Sequence, residues 1–214
     1  MSKKIHWNTV SPLLKQSLEQ LMRCDELADF RLVGGTSLSL QIGHRISIDI
    51  DMFTDAIYDS ISFSKIEESL RLIFPLVYSF GIGPVSIGKC YTIGYSEEEL
   101  IKLDLFYTDE YIQPVLLIDG IRMASIEEII AMKIDIVQRI DRKKDFWDLH
   151  ELMDNYQFDK MLSLHQQRYP YNHNEELIKA NFINFSKADE EADPICLKGK
   201  HWELIKQDIL KARA

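Results

Sequence analysis

Two consecutive glycines, Gly34-Gly35, end an apolar run that contains Phe30, Leu32 and Val33, and after thirteen intervening residues comes an acidic pair, Asp49-Ile50-Asp51. This arrangement constrains the fold more than any other part of the chain. It reads as strand, glycine turn, short helix, strand. The glycines let the backbone turn tightly and approach a ligand closely. Thr36 or Ser37 is placed to open a helix whose free N–H groups suit an anion such as a phosphate. Leu38, Leu40 and Ile42 are its apolar material, and Gly43 is its expected stop. The next residues alternate, with Ile48, Ile50 and Met52 on one side of a strand and Ser47, Asp49 and Asp51 on the other. Facing solvent, the two carboxylates would be only the acidic surface of a strand. Facing the glycine turn, they make a hard-oxygen site for a divalent cation that binds phosphates, and the spacing favours that reading.

The string Val33-Gly34-Gly35, followed at this distance by Asp49-Ile50-Asp51-Met52, resembles the signature of the polymerase-β-like nucleotidyltransferase superfamily. The longer form, from Gly34-Gly35-Thr36-Ser37-Leu38 through Gly43-His44-Arg45 to Asp51-Met52-Phe53, resembles the AbiEii/AbiGii toxin family of nucleotidyltransferases. A second block points the same way: Ala131-Met132-Lys133, then Arg139, then Lys144-Asp145-Phe146-Trp147-Asp148-Leu149. The resemblance extends to about Asp154. It implies the α+β class: a nucleotidyltransferase fold with a mixed β-sheet flanked by helices and a C-terminal helical region. It also implies that Asp49 and Asp51 hold Mg2+ (or Mn2+), that Gly34, Gly35, Thr36, Ser37 and Arg45 bind a nucleoside triphosphate, that Lys133 helps to position the nucleotide, and that Asp145 or Asp148 assists catalysis.

With 214 residues, 46% of them hydrophobic and 28% charged, the chain can bury a sizeable core in one domain or in one domain with a helical annex. We divide it at residues 1–124, the catalytic core, and 125–214, a helical region contributing Lys133 and Asp145/Asp148. The net charge of -9 does not attract nucleic acid as a whole, so an RNA partner would need a local basic patch. Cys24, Cys90 and Cys196 are isolated and odd in number, which fits a reducing cytoplasm and no zinc or disulfide framework. No apolar run is long enough for a bilayer, and the first residues lead into no signal-type segment.

In chain order, Leu13, Leu14, Leu18, Leu21 and Met22 predict a helix over residues 9–29, with Pro12 in its first turn. Ser64-Lys65-Ile66-Glu67 resembles a capping box opening a helix through Ile73. Glycine-punctuated β stretches follow, one with Val85 and Ile87, another with Tyr91 and Ile93. In the strand Ile101–Phe106, Leu103 and Leu105 share one side and Lys102, Asp104 and Phe106 the other. In the superfamily a third carboxylate comes from a strand beside the Asp-x-Asp strand. Asp104 is the best-placed candidate, with Asp109 also available, whereas Asp119-Gly120 reads as the turn of a hairpin over Val115 to Ala124.

Ser125-Ile126-Glu127-Glu128 is a second capping box. In the helix after it, Ile126, Ile129, Ile130, Val137 and Ile140 form an apolar face with Lys133 near its middle. Such a lysine either snorkels out or meets acidic side chains or a nucleotide phosphate, and we favour a partner. Asp135 is expected on the opposite, solvated face. Asp145 and Asp148, three residues apart, share a side of the next helix. Their structural alternatives are a first-turn helix acid for Asp145 and a partner for Arg139 or Arg142 for Asp148. Arg142-Lys143-Lys144 is either a solvated run or the local patch an RNA needs. Ser186 to Asp193 reads as an acidic loop, and Trp202, Ile205 and Ile209 as a final amphipathic helix.

The reading that follows is a metal-dependent nucleotidyltransferase, the toxin component of a toxin–antitoxin system. It would transfer NMP from NTP to an acceptor such as tRNA, with a cognate antitoxin as partner and no membrane. The alternatives are nucleotidyl transfer to a protein or small molecule, and a catalytically silent nucleotide- or partner-binding module. Asp49, Asp51 and Lys133 argue against the silent module.

Overall fold

The computed structural model describes residues 4–80 and 87–212, so Gly81, Gly83, Pro84 and Val85 of the expected β-rich stretch lie outside the described residues. The first long helix, α1 (Pro12–Leu21), opens at Ser11, whose Oγ accepts from the Leu14 N–H at 3.1 Å, and Pro12 fills its first position. It is much shorter than residues 9–29. The guanidinium of Arg122 donates to the carbonyls of Met22, Leu27 and Phe30 at 2.8, 3.0 and 3.0 Å, so these groups bond away from any continuing helix. A short 3-10 turn at Asp25–Leu27 leads on to β1 (Arg31–Leu32).

Next comes α2 (Gly34–Ile42), which begins at the first glycine rather than at Thr36 or Ser37 and is capped by Val33. Gly43 ends it with φ 67°, as expected. Strand β2 (Ile50–Thr54) starts later than the alternation suggested, leaving Ile48 outside it and 72% exposed. Within β2 the alternation holds. Ile50 and Met52 are fully buried, and Asp51 and Phe53 take the other face.

Helix α3 (Phe63–Ile73) is capped by Ser62, two residues before the expected box, because its hydroxyl is the one that accepts from the Lys65 N–H. Then come β3 (Leu76–Phe80), β4 (Gly88–Ser96) and β5 (Glu99–Tyr107), and the hairpin β6 (Leu116–Ile118) and β7 (Ile121–Met123). Asp119 and Gly120 both have positive φ, 49° and 80°, as the expected two-residue hairpin turn requires. The seven strands form one mixed sheet in the order β3-β4-β5-β2-β1-β7-β6, with β2/β5 and β1/β7 parallel. The register of β2 on β5 sets Asp51 opposite Asp104.

One face of the sheet buries Ile50, Met52, Leu103 and Leu105 against Leu14 and Leu18 of α1 and Ile66 and Leu70 of α3. A second apolar cluster joins Val33 and Leu38 to the helices that follow: α4 (Ile126–Arg139), α5 (Lys143–Leu152), α6 (Phe158–Arg168), α7 (Glu175–Asn181) and α8 (Trp202–Ala212). Trp202, Ile205 and Ile209 are buried in it, as the final amphipathic pattern predicts. Asp135, expected on a solvated face, is instead buried: it pairs with Arg139 and accepts from Asn172 Nδ2 at 2.9 Å. The physical reason is that α6 and the segment before α7 cover that side of α4. Glu128 likewise does not close its capping box. It accepts from the Gln113 N–H and pairs at 2.7 Å with the fully buried side chain of Arg168.

Gly43 has a local stability consequence. A Cβ there would lie 2.7 Å from His6 Nδ1, on a backbone that L side chains rarely adopt. Gly43→Ala should destabilise the chain by about 1–2 kcal/mol, read as a lower urea midpoint. An unchanged midpoint would show that the α2 stop relaxes without cost.

Candidate active site

Each of the two glycines makes room for one side chain of the protein itself. A Cβ on Gly34, which has φ +66°, would lie 2.8 Å from Asp51 Oδ2, and one on Gly35 would lie 2.3 Å from Arg45 Nη2. The bare start of α2 therefore admits a carboxylate beside one glycine and a guanidinium beside the other. The first-turn N–H groups of Gly34, Gly35 and Thr36 have no intrahelical carbonyl to bind. The hydroxyls of Thr36 and Ser37 turn inward. Thr36 Oγ1 bonds Ser47 Oγ at 2.8 Å and the carbonyl of Asp49, and Ser37 Oγ accepts from Gln41 Nε2 at 3.1 Å. Both residues are buried and neither lines the cavity, so a nucleotide contact from either would come through its backbone N–H. Thr36 also ties α2 to the segment that delivers Asp49.

Asp49, Asp51 and Asp104 line one cavity of about 560 Å3 together with Gly34, Gly35, Arg45 and Lys133. Burial first, then the charges of Asp104 and Asp49, push the Asp51 carboxyl up from 3.8 to about 6. Asp104 Oδ2 accepts from Lys102 Nζ at 2.5 Å, and its Oδ1 is buried with no hydrogen-bond partner. The thiol of Cys90, opposite Asp104 in the register of β4 on β5, is pushed up to about 11 by burial and then by Asp104. Carboxylates crowded this closely suit a divalent cation. Asp109 lies elsewhere: its carbonyl accepts from Arg168.

Behind this carboxylate face lies a buried charge network centred on Asp148, which is fully buried. Its Oδ1 accepts from Arg45 Nε at 2.6 Å and His44 Nε2 at 2.7 Å, and its Oδ2 from Arg45 Nη2 at 2.8 Å and Lys133 Nζ at 2.6 Å. Asp145 Oδ1 takes Lys133 at 2.7 Å and its Oδ2 takes Arg142 Nε at 2.6 Å. Burial opposes the charge of Lys133, yet Asp145 and Asp148 outweigh it and raise its pKa. Burial also raises the two aspartates, but Lys133 above all holds both carboxyls down, Asp148 well below the usual range. Burial lowers His44, so it is neutral at pH 7, donates to Asp148 from Nε2 and leaves Nδ1 buried without a partner.

Lys133 thus has the partner its place on an apolar face demanded, and the partner is the acidic pair. Asp148 bonds Arg45 rather than Arg139 or Arg142, and it lines no part of the cavity. Three cations, Arg45, Lys133 and Arg142, meet two carboxylates, so one positive charge is left over. Arg45 spends three of its five N–H groups on Asp148 and the Ile46 carbonyl, and lines the cavity beside Gly35.

The stretch around 191–195 is a wall of the same cavity that sequence reasoning left as loop. Lys143, buried, donates from Nζ to Asp193 Oδ1 at 2.9 Å and to the Glu191 carbonyl at 2.5 Å, and its N–H meets Glu191 Oε2 at 2.9 Å. Further on, the Ile46 N–H donates to the Ile195 carbonyl, and the Leu197 N–H to the His44 carbonyl, both at 2.9 Å. Of the basic run, then, Lys143 is a structural anchor, while Arg142 and exposed Lys144 border the cavity.

Comparison with known proteins agrees with this geometry. The model of the nucleotidyl transferase AbiEii toxin family, described as a type IV toxin–antitoxin system, matches residues 16–214. The chain belongs to the AbiEii nucleotidyltransferase toxin family. An uncharacterized protein of Aquifex aeolicus (strain VF5) is 29% identical over 187 residues, 83% of this chain and 84% of that protein. Among solved structures, a Helicobacter pylori protein assigned as a nucleotidyltransferase aligns with TM-score 0.63 at 18% identity, covering 94% of this chain and 90% of that one. MenT4, a nucleotidyltransferase toxin of Mycobacterium tuberculosis H37Rv, aligns with TM-score 0.55 at 14% identity, covering 94% and 82%. At these identities the structures establish the nucleotidyltransferase fold. The family establishes a nucleotidyltransferase of toxin–antitoxin type.

Two features of this AbiEii member were not found from sequence. His44 stands beside Arg45 in the first motif but gave no spacing signal of its own. The 191–195 wall had one usable cue, the short Pro194-Ile195-Cys196 run after an acidic stretch, which is too short to register as a strand.

The raised Asp51 pKa has a definite sign. The folded state holds this proton more tightly than the unfolded chain, so the stability Asp51 contributes is complete below about pH 4 and lost as pH rises through about 6. In metal-free buffer, Asp51→Asn should therefore be more stable than wild type at pH 7 and indistinguishable from it at pH 4. Urea midpoints across that range check it, and parallel curves at all pH values would remove the carboxylate crowding.

Proposed function

We propose that the chain transfers a nucleoside monophosphate from an NTP to an acceptor hydroxyl, with a divalent cation, Mg2+ or Mn2+, held by Asp49 and Asp51 and assisted by Asp104. The observation that carries this reading is one cavity joining three carboxylates, the bare first turn of α2 and the guanidinium of Arg45. Among the described residues, no group of His, Cys, Asp and Glu side chains forms a ready metal cage. That fits magnesium, which is commonly held by one or two carboxylates together with substrate phosphates. The cation supplies charge neutralisation at the α-phosphate and the departing pyrophosphate.

The chain's own residues do the rest. The N–H groups of Gly34, Gly35 and Thr36 and the two remaining N–H groups of Arg45 hold phosphate oxygens. Lys133, Asp145 and Asp148 act through position. Asp148 fixes the angle of Arg45, Asp145 fixes Arg142, and Lys133 holds the two aspartates apart and charged. In the metal-free chain Asp51 keeps its proton up to about pH 6, so protons compete with the cation there and Mg2+ affinity should weaken as the medium is acidified through that value.

We take an RNA end, such as that of tRNA, as the acceptor. Of the cations lining the cavity, Lys102 and Arg142 already pair with Asp104 and Asp145, so RNA phosphates would meet chiefly exposed Lys144 at its border. A cognate antitoxin is the expected partner within a toxin–antitoxin pair. Three free cysteines suit a reducing cytoplasm, and among the described residues no helix is long and apolar enough to cross a membrane.

The test is incubation with each α-labelled NTP, total RNA and Mg2+. Label should enter RNA with wild type, and Asp49→Asn and Asp51→Asn should lose at least about 10^2-fold while staying folded. Label entering protein or a small molecule would replace the RNA acceptor, and full activity in both variants would end the metal reading.

A further inference from the structure

The cavity lining also holds apolar side chains, and five of them come from three separate segments. Helix α4 supplies Met132 and Ile136, four residues apart on one stripe of the helix. The segment before β2 supplies Ile48, and the 191–195 wall supplies Pro194 and Ile195. Ile48 is 72% exposed and Ile195 is 68% exposed, although both belong to a concave surface. Large apolar side chains left open at a cavity mark a place that a planar or apolar group covers. The wall that carries Ile195 is held in place by Lys143 at one end and by the Ile46 and Leu197 N–H groups at the other.

We propose that these residues form the nucleobase slot: the base of the bound NTP lies between the α4 side, Met132 and Ile136, and the lip formed by Ile48, Pro194 and Ile195. The inference rests on the nucleotide reading and extends it. A triphosphate with its cation matches the carboxylates, the α2 N–H groups and Arg45, and the uncharged base, joined to it through the ribose, is left to the apolar side chains of the same cavity. The acceptor is different. In-line displacement brings its hydroxyl to the α-phosphate from the side away from the leaving pyrophosphate, so it needs an approach from solvent rather than a place inside the slot. The choice among bases is then set by these five side chains and not by the metal-binding end.

The test uses the full chain with Ile195→Asn and Ile48→Asn, singly and together, and Ile195→Leu as the conservative control. Both side chains are largely exposed and Ile195 meets the fold through its backbone carbonyl, so the variants should fold. Two probes are titrated in the presence of Mg2+: each of the four NTPs, and inorganic tripolyphosphate, which has no base. The Asn variants should bind NTPs about tenfold more weakly or worse, raise KM more than they lower kcat, and change the ranking of the four NTPs. Their affinity for tripolyphosphate should not move, and Ile195→Leu should restore wild-type NTP binding. Unchanged NTP affinity would overturn the slot, as would an equal loss for both probes or a rise confined to the acceptor KM. A wild-type chain that binds neither probe would instead refute the nucleotide reading, and the slot with it.

Discussion

The start of α2 can host chemistry because two residues there have no side chain. Gly34 leaves room for Asp51 and Gly35 for Arg45, each within a distance that a Cβ would forbid. A carboxylate and a guanidinium thereby reach the same helix terminus, where unpaired N–H groups already favour an anion. The rest of the site is a consequence of where β2 must run. Pairing β2 with β1 on one side and β5 on the other brings Asp51 back to the glycine turn and sets Asp104 opposite it.

Placing charges this close has a cost that the chain offsets locally. Lys133 is buried on a helix that also buries Ile129, Ile130 and Val137, and it is kept charged by Asp145 and Asp148. Breaking one member of such a network leaves an uncompensated buried charge, typically worth about 3–5 kcal/mol. Asp148 is the strictest member, since both its oxygens are filled by Arg45, His44 and Lys133. The two motif blocks, far apart in the chain, are therefore one structure: Asp148 of the second holds Arg45 of the first. The 191–195 wall completes the arrangement by pairing with the backbone on either side of Arg45.

Much of this was legible before the structure. The glycine pair, the Asp-x-Asp, the hairpin at Asp119-Gly120 and the buried lysine each rest on local backbone chemistry or on periodicity, and those signals survive folding. What failed depended on partners distant in sequence. Nothing in residues 9–29 announces that Arg122 will take the carbonyls of Met22 and Leu27. Asp135 looked solvated because its neighbours on α6 and around Asn172 are invisible to a helical wheel. Thr36 or Ser37 was expected to open α2, yet the helix begins at Gly34, and Ser47 and Gln41 hold the two hydroxyls inward. The cavity wall at 191–195 has no periodicity to detect, because a bridge of this length has no repeat.

The central claim is that the glycine turn and the carboxylates form one cation-dependent nucleotide site. Calorimetric titration with a nonhydrolysable NTP analogue tests it most directly, with and without Mg2+, on wild type and on Gly35→Ala. In that variant the added carbon must collide with Arg45, which Asp148 prevents from moving aside. The account predicts binding to wild type that requires the cation, and about tenfold or greater loss in a folded Gly35→Ala chain. Binding that is equal with and without Mg2+, or unchanged in Gly35→Ala, would contradict it.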